Sequence, residues 1–194
     1  MSTQAQAITP AAFLSPTRSS GSPVRAFRHA TLALAVLLGA GLAQAEGAFN
    51  QTDKRFVTDA ANAGVYEVQA AQVAAKKGQD PKVKAYAEML VRDHTRVNEE
   101  LGKLAASRSM ELPRELPHDL RGRVQGLERE KPESFDREFL QRVGLDDHKK
   151  DIELFERVED KATDPDLKAF ARKTLPGLKE HRAHAEKLIG SLPR

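Results

Sequence analysis

The 194-residue chain contains no cysteine and no tryptophan, and aromatic side chains make up only 5% of it. Without cysteine there can be no disulfide framework, thiolate metal site, thiol nucleophile or lipid-bearing N-terminal cysteine. A strong charge of one sign is also missing. The formal net charge is +3, but Arg18, Arg25 and Arg28 lie in an acid-free leader, and the rest of the chain balances. Nucleic-acid binding requires clustered positive charge to displace counterions, so that class is excluded. Nor is there a long hydrophobic run. The most apolar stretch, Thr31–Ala43, is about 13 residues, whereas a membrane span needs about 20. No Gly-rich phosphate loop, Gly-x-Ser-x-Gly elbow or His-Glu-x-x-His motif occurs, which leaves the common nucleotide, serine-hydrolase and zinc-protease sites without support.

What is present begins with an export signal over residues 1–45. Arg25 and Arg28 precede the apolar run, which ends in Ala43-Gln44-Ala45, the small-x-small pattern of a signal-peptidase site. The expectation is a mature chain from about Glu46, exported to a bacterial periplasm, with no integral membrane segment after cleavage. A short lead-in, 46–52, precedes a single domain over 53–190.

Four long helical segments make up that domain. The first is read from Asp53 to Lys77, the second from Pro81 to Ser107, the third from Pro132 or Ser134 to Lys161. The fourth runs from Pro165 to about Ile189. Asp80-Pro81 and Asp164-Pro165 are start signals: the aspartate caps free N–H groups, and proline at the first helical position gives up an N–H that would have no partner. Asp80-Pro-Lys-Val-Lys-Ala-Tyr-Ala87 repeats as Asp164-Pro-Asp-Leu-Lys-Ala-Phe-Ala171, and Asp53-Lys-Arg-Phe-Val57 as Asp136-Arg-Glu-Phe-Leu140. Residues 53–107 and 132–190 are thus two copies of one helical hairpin. The fold expected is all-α, an up-down-up-down four-helix bundle. A short amphipathic helix (Leu120, Val124, Leu127) lies in the helix 2–helix 3 crossover, expected across one end.

Each helix carries an apolar seam with spacings of three and four, and each seam contains one polar side chain able to bind a metal. These are Glu67, His94, His148 and His181. Counted from the loops at Asp80 and Asp164, placed at one end, they lie about 20–26 Å down the helices at 1.5 Å per residue, within one turn of each other. Three imidazoles and a carboxylate at one height suit a Zn, Fe, Cu or Mn ion. His184 is a further candidate ligand, and Asp93 and Asp147 are candidates to ligate or to orient imidazoles. The charged runs 92–96, 148–151 and 179–186 read otherwise as solvated faces.

The residues Phe56-Val…Tyr66-Glu67, Val83-Lys-x-Tyr-Ala…Asp93-His94, Phe135-Asp…Asp147-His148 and Leu167-Lys-x-Phe-Ala…His181 resemble the exported bacterial family called Domain of Unknown Function 4142. That resemblance implies a ferritin-like bundle over most of residues 52–190, with no established activity. It implies Glu67, His94, His148 and His181 as the positions of any metal. The chain departs from the ferritin-like carboxylate enzymes, whose helices carry Glu-x-x-His; its one match, Glu115–His118, is interrupted by Pro117. Two functions follow. One is an exported bundle that binds a transition metal ion for buffering or stress protection. The other is a metal-free structural or protein-interaction bundle of the cell envelope, with the Ala-rich helix 1 seam inviting a homodimer. No reaction is indicated.

Overall fold

Three of the four long helices begin where a side chain satisfies their first free N–H groups. Asn50 accepts from the Asp53 N–H to start α1 (Gln51–Lys77), Asp80 from Lys82 to start α2 (Pro81–Ser107), and Asp164 from Asp166 and Leu167 to start the last helix. The structure, a computed structural model, describes residues 47–193, and the export segment lies outside the described residues. After α2 come α3 (His118–Arg129) and α4 (Pro132–Phe139). A π-helical segment, Leu140–Asp147, continues α4 without a break into α5 (His148–Lys161). The last helix, α6 (Pro165–Ser191), runs through Pro176. Among the described residues there is no strand.

The helix directions correct one expectation. The Asp136 carboxylate, in the first turns of the third long helix, accepts from the Gln79 and Asp80 N–H groups of the α1–α2 loop. Asp53, at the start of α1, accepts from the Thr163 and Asp164 N–H groups and the Thr163 hydroxyl in the α5–α6 loop. Arg108, just past α2, ion-pairs with Asp164 at 2.8 Å and Asp166 at 2.7 Å. The two hairpin loops therefore lie at opposite ends, and the order is up-down-down-up rather than up-down-up-down. The repeat explains it: Asp53 and Asp136 are equivalent, and each clamps the other copy's loop, so the hairpins pack head to tail. A single long crossover then returns the chain along the bundle, the ferritin-like solution.

That crossover contains α3, which does not lie across one end. Its Arg123 reaches Tyr66 and Asp147 at mid-height, while Lys77, at the end of α1, donates to the Glu128 and Glu130 carbonyls. The apolar stripe of α3 needs a groove to bury it, and the flank between α1 and the third helix supplies one for Val124 and Leu127. The alanine seam of α1 is used within the chain: Ala60, Ala70 and Ala74 are all buried.

The core falls into two clusters. One gathers Tyr86, Phe135, Phe139, Leu140 and their neighbours; the other gathers Phe56, Phe155, Leu167 and Phe170. Between them lies a layer that is polar and still buried, formed by Glu67, His94, His148, Asp151 and His181.

Candidate metal centre

His148 occupies its place because of the π segment. Asp53 matches Asp136, whereas Asp80 matches Asp164, so the second copy is one residue longer between these points. A π segment is how a helix absorbs one extra residue. Beyond it the register is shifted, and Asp151 falls at the position equivalent to Glu67. Within this segment His148 Nδ1 lies 2.8 Å from the Val143 oxygen. A carbonyl only accepts, so Nδ1 carries the proton and Nε2 is bare.

The same logic fixes the other two rings. His181 Nε2 is 3.1 Å from Asp93 Oδ2, and His94 Nδ1 is 3.0 Å from Glu67 Oε2. A carboxylate beside the outer nitrogen of a ring holds the proton there and leaves the inner nitrogen as a lone pair; Asp93 does this for His181, and Glu67 does it for His94 in its ionised form. The three inner nitrogens face one another. His94 Nε2 and His148 Nε2 are 3.4 Å apart, His148 Nε2 and His181 Nδ1 are 3.3 Å apart, and all three lie within 4.8 Å. Two imidazole nitrogens bound tetrahedrally to one ion at 2.0–2.1 Å stand about 3.3–3.4 Å apart. The observed pairs have that spacing.

Burial sets the charge states. It lowers the pKa of His94 to about 4 and of His148 to about 3, and lowers that of His181 as well. All three rings are neutral at ordinary pH, the form that binds metals. The carboxyls move the other way. Burial pushes Glu67 up to about 8, and burial followed by the Glu67 charge raises Asp151 well above the carboxylate range. The interaction between the two carboxyls lowers Glu67 and raises Asp151. Glu67 Oε1 also lies 3.3 Å from His148 Nδ1 but lacks a well-aligned partner. One buried carboxyl group thus lies behind two imidazoles.

The sequence-derived residues fall into two groups. His94, His148 and His181 form the cluster, with Glu67 behind two of them. Asp93 orients His181 across the α2–α6 interface rather than its own neighbour His94. Asp147 and His184 are not brought to the cluster. Asp147 is buried beside Arg123, with Lys150 also in reach. His184 is exposed and meets the Tyr86 ring edge-on at 5.1 Å. Asp151 was read as part of a solvated run, yet it is only 7% exposed. Its signal was its place one turn after His148, on the same face.

Two clefts approach this layer from opposite sides. Between α2 and α6, a cavity of about 160 Å³ is lined by His94, His181, Asp93, Thr174 and Gly177. Between α1, α3 and α5, one of about 310 Å³ is lined by Tyr66, Glu67, Arg123, Asp147 and Asp151.

Fold and site together define a class: a ferritin-like four-helix bundle whose core is divided by a layer of imidazoles and carboxyls, with three buried histidines close enough to hold a metal ion. The chain belongs to the family described as Domain of unknown function (DUF4142), whose model matches residues 39–188. Its structure is similar to the crystal structure of a DUF305 fragment from Deinococcus radiodurans, with a TM-score of 0.66 and 16% identity. The match covers 75% of this chain and 99% of that one, and identity at that level speaks for the fold alone. No curated protein matches the chain. Among the described residues, no helix is long and apolar enough to cross a membrane.

Proposed function

We propose that this protein binds one transition-metal ion through His94 Nε2, His148 Nε2 and His181 Nδ1, with Glu67, Asp93 and the Val143 carbonyl holding the outer nitrogens. The observation that carries this reading is the convergence of three buried ring nitrogens, 3.4 Å and 3.3 Å apart in two of their pairs, with a carbonyl or carboxyl oxygen beside the other nitrogen of each ring. With the outer nitrogens engaged in this way, the inner nitrogens can turn their lone pairs to an ion. Neutral nitrogen donors without thiolate favour zinc or copper over manganese, which prefers carboxylate oxygen. The apolar run Thr31–Ala43 and the Ala43-Gln44-Ala45 motif support the export half of the proposal, in which the ion is buffered or sequestered outside the cytoplasm.

The test is elemental analysis of protein secreted by a bacterial host and purified without chelator or affinity histidines. About one equivalent of zinc or copper is expected, on a chain whose mass begins near Glu46. His94→Ala should lower metal affinity by about 10²-fold or more while far-UV circular dichroism stays helical. Equal metal content in that variant would sink the reading.

A further inference from the structure

An ion held by these three rings has no fourth protein ligand of the usual kind among the described residues. Glu67 and Asp93 are at the outer nitrogens of His94 and His181, and among the described residues the group of ligand atoms that converges there contains the three histidines and no carboxylate. A site closed for structural purposes has four protein ligands; one that keeps a position for an external group has three. The rings are unequally enclosed. His148 is fully buried, whereas His94 and His181 line the cleft between α2 and α6. At about 160 Å³, that cleft has room for several waters.

Charge decides what belongs there. Three neutral imidazoles leave a divalent ion with its full charge, which favours an anion as the next ligand. The cleft's own charges do not add to this: Lys173 and Arg96 are paired to Glu100 at 2.8 Å and to Asp93 at 3.6 Å, and Glu180 also lines it, so the attraction for an anion comes from the ion. On the α6 side, Gly177 keeps the cleft wide. A β-carbon at Gly177 would meet nothing within 4 Å, as would one at Gly122, Gly126 or Gly190, but of these four Gly177 is the one that lines the α2–α6 cleft. Packing does not require glycine at 177, and glycine inside a helix costs about 1 kcal/mol relative to alanine. What its missing side chain leaves is open space beside His181.

We propose that the ion bound by His94, His148 and His181 keeps one coordination position facing the α2–α6 cleft, and that a small anion of a few atoms binds there, reaching the ion past Gly177. The inference rests on the metal reading above and names the ligand class of the same site.

The test uses Co(II)-loaded protein and azide as the probe. Azide should change the visible d–d spectrum along a saturable, one-site curve. Gly177→Leu should take up Co(II) with the same stoichiometry and melt at or above the parent temperature, yet bind azide at least about tenfold more weakly; Gly177→Ala should fall between. A one-to-one Co(II) complex whose spectrum azide does not alter would overturn the open position while leaving metal binding intact. Equal azide affinity in Gly177→Leu would overturn the route. No uptake of Co(II) or zinc by the parent protein would overturn both this inference and the metal reading.

Discussion

At the residue scale, the most consequential group is Glu67, because its proton couples the layer to pH. Its carboxyl titrates near 4.5 when exposed and is pushed up to about 8 by burial in the fold. Between those values the folded chain holds a proton that the unfolded chain has lost, so stability of the metal-free protein falls as pH rises through the window. Below about 6.5 the histidines oppose this trend: their folded pKa values are depressed to about 4 and about 3, so unfolding takes up protons there and stability falls with acid. The carboxyl contribution is therefore best read between pH 6.5 and 8. Glu67→Gln should remove up to about 1.4 kcal/mol of slope per pH unit in that interval, measured by urea unfolding of the metal-free protein. An unchanged slope would assign the proton to another group, Asp151 first. The bare imidazole nitrogens were legible as seam positions in the sequence, but their tautomers were not, since each depends on an acceptor from elsewhere: Val143 in the π segment, Glu67 in α1, Asp93 in α2.

At the scale of elements, what was local was readable. Asp80-Pro81 and Asp164-Pro165 mark helix starts by their own chemistry, and the structure begins α2 and α6 at those prolines. The direction of one hairpin against the other was not local. It depends on Asp53 and Asp136, whose carboxylates take up the backbone N–H groups of loops more than fifty residues away. The common height of the four seam residues survives the corrected direction for a simple reason: Glu67 and His94 sit near the middle of α1 and α2, so turning that hairpin over leaves them at the same level. Asp151 was missed because the π segment slips the register of the third helix, which hides a buried carboxylate in a charged run. The loop clamps give a direct prediction. Asp53→Ala and Asp136→Ala each leave backbone N–H groups without a partner, at a cost of about 1–3 kcal/mol. Because the two sites lie at opposite ends, the double variant should lose the sum, within about 0.5 kcal/mol. Denaturant titration of the singles and the double decides this; strong coupling would mean that the clamps act through a shared rearrangement.

At the scale of the molecule, the three imidazoles tie together parts that the chain connects only loosely. His94 belongs to the first hairpin, His148 and His181 to the second, and the link between hairpins is the crossover with α3. Each of the two apolar clusters spans both hairpins, and the polar layer lies between the clusters. An ion bound there is available only when both hairpins are folded and docked, so its binding free energy acts on global unfolding rather than on one helix. At a free metal concentration about 100 times the dissociation constant, the gain is about 2.7 kcal/mol, which for a domain of this size raises the melting temperature by roughly 5–10 °C. The shift should grow with the logarithm of metal concentration and vanish in His94→Ala. Hydrogen exchange locates the effect: zinc or copper should slow the slowest-exchanging amides of α1, α2, α5 and α6 by similar factors. If protection rose only around α6, the ion would be held by His181 and surface groups of that helix, and the layer shared by the two hairpins would not be its site.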